Sequence, residues 1–457
     1  MSSSRSRTRL RILQGLILFA PLPFGSAPEP FATLFFLFLV FWIALAWPDA
    51  RQEIPLPGGK WLGRLVLTIP FLAILQLVPL PRGFVGFLHP GALPLLESLP
   101  MEVPNWLCLS LAPGLTWNAA LQLLVLALFF LTLLRLPIGR QEARSLVVAM
   151  LISGAVQVVV GAVRMVLPVR NFFLFFYPVD NPLPWAQLTG TFVENSQAAL
   201  FVGMGLLACL GYWGAEAGLF SSRGPKPATL KQWVLPGSFT GVYVVLIGVC
   251  IAGFALTRSK NMFWLMTVAA VAAVLLWFLT QFPPQQRDRL RWIFLVAIVL
   301  AMTMGMRNTQ ARFFDQQTGK PVQIRTDSAV KKMIRDFPIL GSGWGTFARV
   351  NTVYINRPEF KLSHARNEWI QIAVEGGLLS AGILLSTLLL FLWGVWRRWT
   401  ECLDRWSRGM SAGMLAAAML LWGLTPVYYP LRVPCLVFLV LLAMGVAARL
   451  TVEDKKR

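Results

Sequence analysis

The sequence predicts an all-α polytopic membrane protein with about twelve transmembrane helices. Of its 457 residues, 56% are hydrophobic and only 13% are charged, and several apolar runs are long enough to cross a bilayer. Runs such as Phe31 to Trp47 are continuous rather than alternating. Their backbone groups must therefore be satisfied within helices, because the strands of a membrane barrel alternate polar and apolar residues.

The expected spans are 10–27, 31–48, 61–80, 117–134, 145–167, 196–214, 236–256, 262–281, 292–306, 369–395, 410–425 and 431–448. The first follows the basic run Arg5, Arg7, Arg9 and Arg11 and ends near Gly25-Ser26-Ala27, which resembles a signal-peptide cleavage site. Cleavage there would leave Pro28 first, an unfavourable junction, and would break the charge pattern of the later loops, so an uncleaved first helix is expected. An outer loop near 82–116 follows the third span.

Lys and Arg in short loops stay in the cytoplasm. They cluster as Arg135, Arg140 and Arg144, then Arg223, Lys226 and Lys231, then Arg287, Arg289 and Arg291. Further along come Arg397, Arg398, Arg405 and Arg408, and the tail Lys455, Lys456 and Arg457. An even number of spans leaves both termini cytoplasmic. The chain thus divides into 1–306 with nine spans, 307–368 as a basic extracytoplasmic loop between spans 9 and 10, and 369–457 with three spans and a tail.

The formal charge of +21 does not call for nucleic acid, since most basic residues are topological anchors. The outer loop from Arg307 to Arg366 is different, with eleven Lys or Arg against Asp315, Asp327, Asp336 and Glu359. Long loops translocate regardless of charge, which permits this excess without explaining it. Anions at the outer surface explain it: lipid headgroups, lipid-linked phosphates or acidic polysaccharides, bound by charge-assisted hydrogen bonds.

Within this loop Ala329, Val330, Met333 and Phe337 recur at helical spacing, with Lys331, Lys332 and Arg335 mostly on other faces, which reads as a helix lying on the membrane surface. Pro338 stops it. Gly341, Gly343 and Gly345 then form a turn that either presents amides to phosphate or is simply tight. Cys108, Cys209, Cys250, Cys402 and Cys435 are scattered, and His89 and His364 lie far apart. Neither a disulfide framework nor a metal site follows, and metal-independent chemistry without a cofactor is expected.

The stretch Ser363 to Gly377 places polar residues at the mouth of an apolar helix, a usual mark of function. With the Pro338-x-x-Gly341-x-Gly343 turn before it and Glu375-x-Gly377 trailing it, this stretch resembles the O-antigen ligase and polymerase superfamily. LTGTFVENSQAA (Leu188 to Ala199) looks like that family's Gly-Thr-Phe-x-Asn helix entry, and LTRSK (Leu256 to Lys260) like its Thr-x-Ser-Arg turn. VPLP (Val78 to Pro81) and LSLAPGLTWNA (Leu109 to Ala119) resemble an extracytoplasmic loop common in the family.

The resemblance implies glycosyl transfer at the outer face of a bacterial inner membrane. An acceptor hydroxyl, on lipid A-core or another glycan, attacks the anomeric carbon of an undecaprenyl-diphosphate-linked glycan with inversion. Such a leaving group needs cations where negative charge develops, and the acceptor needs a base, a role that suits His. Where the family usually has that His, directly before the Asn, this chain has Arg366, whose guanidinium stays protonated. His364 matches the first His of the family's His-Ala-His-Asn variant and reaches the same place only if residues 363–366 are extended. Otherwise it is an ordinary interfacial histidine.

The catalytic candidates are therefore His364 and Arg366. Arg258, Lys260 (where the family has Arg) and Arg325 are candidates for holding phosphate, or else snorkelling and solvated charges. Asn195 either caps a helix or orients substrate, and Asn367 stands at the head of the tenth span. Glu375 belongs either to a salt bridge or to the chemistry. Phe172 to Tyr177 reads as an interfacial belt or as a surface for stacking sugars. A transporter or a non-catalytic glycan-binding protein remains the other class.

Overall fold

The computed structural model describes residues 2–50, 52–97, 103–166, 187–216, 241–259, 262, 264–266, 322–354, 364–365, 367–402 and 404–451. The amino-terminal part contributes α1 (Ser2–Phe19), α2 (Phe31–Ala46) and α3 (Gly59–Leu75). Then come strand β1 (Pro79–Pro81), the short α4 (Arg82–Leu88) and α5 (Ala92–Glu97), and strand β2 (Trp106–Cys108). The helices α6 (Pro113–Arg135), α7 (Arg140–Val166), α8 (Asn195–Glu216) and α9 (Gly241–Leu256) follow. After them lie α10 (Val322–Asp336), α11 (Phe347–Tyr354), α12 (Glu368–Glu401), α13 (Arg405–Leu424) and α14 (Pro434–Leu450).

Five helical stretches among the described residues are long and apolar enough to cross a membrane: Phe31–Asp49, Pro113–Arg135, Arg140–Val166, Asn195–Glu216 and Glu368–Glu401. The chain is a membrane protein on this evidence, and the shorter α9 and α14 are also apolar. The expected spans 292–306 and nearly all of 262–281 lie outside the described residues, as does the aromatic run 172–177.

Local chemistry explains where the helices begin. Pro113 and Pro434 occupy first turns, where no amide donor is missed. Asn367 and Asp404 cap α12 and α13 by accepting the amides of Ile370 and Ser407. In the core of the bundle Trp42 of α2 meets Phe129 of α6 at 5.1 Å, and Phe129 meets Phe438 of α14 at 5.3 Å, all three fully buried.

At one end of the bundle a small cap covers the helix ends. β1 and β2 pair antiparallel, with Leu80 opposite Leu107. Val85, Ala92, Leu109, Val330, Met333, Phe337 and Phe347 form one buried cluster there. The apolar face of α10 therefore meets protein rather than the expected membrane surface. A hydrophobic face needs an apolar partner and does not specify which. Lys331, Lys332 and Arg335 remain exposed on its other side.

The longest helix, α12, is broken at Gly377 (φ 74, ψ 173). In a regular helix Val374 and Glu375 would accept the amides of Leu378 and Leu379. Here Ser342 and Gly343 donate to those two carbonyls at 2.8 and 3.0 Å, while Leu378 and Leu379 donate to Pro338 and Ile339. The Pro338–Gly343 segment is thus inserted into the helix and supplies partners for both of these carbonyls and both of these amides. Gly341, Gly343 and Gly345 all have positive φ, which lets the segment turn away again.

Candidate functional site

The capped end gathers several of the motif segments. Residues 187–194 make a turn before α8, held by Gln157, whose side-chain oxygen accepts the Thr191 amide and hydroxyl at 2.9 and 2.8 Å. Arg164 donates to the Gly190 carbonyl at 2.7 Å. The end of α9 docks on this turn: Asn195 donates to the Thr257 carbonyl at 3.0 Å and to Gln187 at 2.9 Å, and the Ser196 and Ser259 hydroxyls are 3.2 Å apart. Asn195 is thereby a tie between two helix ends. Arg258 lies between Thr257 and Ser259, exposed, with φ 51, a left-handed backbone that is uncommon for a side chain of this size.

His364 and Ala365 precede α12, and Asn367 is extended (φ −149, ψ 116). The histidine therefore stands ahead of the helix, while residues 363 and 366 of the stretch expected to be extended lie outside the described residues. Its ring stacks on Tyr429 at 4.8 Å, and Tyr429 stacks on Tyr428 at 4.5 Å. Both phenols donate to Glu194, Tyr428 at 2.5 Å. Burial lowers the His364 pKa, helped by Arg432 and opposed by Glu375 and Glu194, so the imidazole is neutral at pH 7.

Beneath the ring, Gln371 has every hydrogen-bonding group but one lone pair committed. Its oxygen accepts the Ala365 amide at 3.1 Å, and its nitrogen donates to Glu375 Oε1 at 3.2 Å and faces His364 Nδ1 at 3.4 Å. Glu375 also accepts the Phe347 amide at 3.2 Å. Arg432 lies between two buried carboxylates, 3.0 Å from Glu368 and 2.9 Å from Glu375. Of the two readings open for Glu375, the salt bridge is the one observed.

Gln76, just past α3, ties the glycine turn down: it donates to the carbonyls of Leu340 and Glu375 and accepts the Trp344 amide at 3.1 Å. Beside the Glu368–Arg432 pair, an apolar cavity of about 270 Å³ opens between α2, α3, α6, α12 and α14.

The structure thus brings together His364, Asn367 and Asn195, with Arg258 on the adjoining turn. Arg366 and Lys260 lie outside the described residues. Arg325 falls in α10, with its side chain outside the description. The residues that connect the site, Glu194, Gln371, Tyr428, Tyr429 and Arg432, were not singled out by motif reading. Glu194 lies inside LTGTFVENSQAA and Gln371 inside Ser363 to Gly377, and the two adjacent tyrosines beside an apolar run were the remaining signal.

Residues 237–385 match the O-antigen ligase family model. The match runs from α9 into α12 and takes in the Thr257 turn, the glycine turn, His364 and Glu375. It bears out the resemblance read from the sequence to the O-antigen ligase and polymerase type of protein, over about a third of the chain. No curated protein matches.

Proposed function

We propose that the chain transfers a glycan from undecaprenyl diphosphate to an acceptor hydroxyl, with inversion, at the outer face of a bacterial inner membrane, most simply as an O-antigen ligase. One observation carries this reading. Three segments far apart in sequence, 188–196, 257–259 and 364–375, meet at one end of a helix bundle around a half-buried polar cluster. Among the described residues, Arg135, Arg140, Arg397, Arg398 and Arg408 lie at the opposite ends of their helices, which supports a periplasmic site with cytoplasmic termini.

In this reading Arg258, Lys260, Arg325 and Arg366 supply cations for the departing diphosphate. His364 stands at the reacting centre, and Asn195 and Asn367 hold its walls. The apolar cavity beside Arg432 suits part of an isoprenoid chain. Ligase and polymerase differ only in acceptor: a lipid A-core sugar or another lipid-linked repeat.

The test is reconstitution in lipid nanodiscs with undecaprenyl-diphosphate-linked glycan and each acceptor in turn, following release of undecaprenyl diphosphate and growth of the acceptor. Transfer to lipid A-core alone identifies a ligase, and transfer to lipid-linked repeats a polymerase. Binding without transfer to any acceptor rejects the enzymatic reading.

A further inference from the structure

The amide of Gln371 fixes which nitrogen of His364 carries the proton. Gln371 cannot be turned over, because its oxygen accepts the Ala365 amide while its nitrogen faces a carboxylate oxygen of Glu375. Reversing it would set an N–H against an N–H and an oxygen against a carboxylate. The second hydrogen of that nitrogen is directed at His364 Nδ1, 3.4 Å away. Nδ1 is therefore an acceptor, and a neutral imidazole then bears its hydrogen on Nε2. In this state the histidine offers the site a donor. It has no lone pair free to receive a proton from an acceptor hydroxyl.

A proton acceptor must then be sought among the carboxylates around the ring. Glu375 is buried and held by Arg432, Gln371 and the Phe347 amide. Glu368 is equally buried and also bound by Arg432. Glu194 differs from both. It is half-buried, no cation of the described residues pairs with it, and its only described side-chain donors are the phenols of Tyr428 and Tyr429. A carboxylate has about four acceptor positions, and the described side chains occupy two of them, one stacked tyrosine away from the His364 ring.

We propose, on the basis of the glycosyl-transfer reading, that His364 is a hydrogen-bond donor through Nε2–H and that Glu194 takes the proton of the acceptor hydroxyl. As that oxygen bonds to the anomeric carbon, the carbon–oxygen bond to diphosphate breaks and its electron pair leaves with the diphosphate. The hydroxyl proton passes to a Glu194 oxygen and then to solvent. Nothing is oxidised or reduced. The Nε2–H group steadies an oxygen of the departing diphosphate. Tyr429 is a positioning residue, holding the carboxylate with its hydroxyl and the imidazole with its face.

The chain has two histidines, so a ¹⁵N-histidine-labelled sample in nanodiscs gives two imidazoles, told apart with His89→Phe. The expected spectrum at pH 8 shows His364 protonated on Nε2, and Gln371→Glu, which exchanges the donor for an acceptor, moves the proton to Nδ1. A parent spectrum with Nδ1–H overturns the proposal whatever the activity. In the transfer assay, Glu194→Gln lowers kcat on the order of 10²–10⁴-fold and leaves KM for the lipid-linked donor and binding of undecaprenyl diphosphate near those of the parent. Tyr429→Phe lowers kcat less. A Glu194→Gln protein with kcat within a few-fold of the parent overturns the assignment of the base. A parent that transfers to no acceptor rejects the functional reading and the role of Glu194 with it, while the spectrum still decides the state of His364.

Discussion

Replacing Arg432 by Gln removes the cation that bridges two carboxylates, each 1% exposed. Two hydrogen-bonded ion pairs are lost together. What remains is Glu368 bonded to the Leu431 amide, and Glu375 bonded to the Phe347 amide and Gln371. Stranding buried charge in this way costs about 3–5 kcal/mol. At roughly 2 °C per kcal/mol for a chain of this size, the midpoint of thermal unfolding in detergent falls by about 6–10 °C. Arg432→Lys keeps the charge but cannot bridge both carboxylates as a planar fork does, so its loss is intermediate. The triple variant Glu368→Gln, Arg432→Gln, Glu375→Gln carries no stranded charge and recovers more than half of the loss. A single Arg432→Gln shift below about 2 °C, or a triple variant no better than the single, refutes the argument that charge burial governs this contact.

Other outcomes follow from the same geometry. Gly377→Ala puts a methyl 2.0 Å from the Ile339 carbonyl oxygen at φ 74; beyond the 1–3 kcal/mol of backbone strain, it expels the inserted segment, so folded yield measured by size exclusion drops sharply. Burial lowers the His89 pKa to about 4, a smaller opposing effect coming from the Leu109 backbone. Below pH 6.5 the unfolded chain binds a proton that the folded one refuses until about pH 4, so stability falls across that window by up to about 3 kcal/mol. His89→Phe flattens that slope in melting curves taken between pH 4 and 7. Replacing the exposed Lys331, Lys332 and Arg335 by Gln weakens binding to vesicles containing undecaprenyl diphosphate by roughly five-fold per charge at low salt; a salt-independent affinity would contradict an electrostatic role.

The helices were legible because a membrane span needs a long apolar run, and runs such as Phe31 to Trp47 announce themselves. The head of α12 was legible as well, since polar residues against an apolar helix stand out. The fate of the apolar face of α10 was not legible: Val330 and Met333 want burial, and pattern alone does not distinguish lipid from the cap of β1, β2 and α4. The partners of His364 were hidden for a different reason. Tyr429 and Glu194 lie 235 residues apart in the chain, and nothing local in either segment names the other. Arg432 sat at the edge of an apolar run, where a snorkelling cation looks the same as a buried one.

The insertion of Pro338–Gly343 into the break of α12 makes a structural unit that is incomplete by itself. Both strands of that exchange lie within residues 237–385, so the matched segment carries its own backbone seam wherever it travels. The bolts that fasten it lie outside, at Gln76 on one side and Arg432 on the other. A chimera that grafts this segment from a relative keeps its fold only if the recipient supplies those two side chains. For the same reason, drift at position 76 or 432 can silence the motif without altering a letter of it.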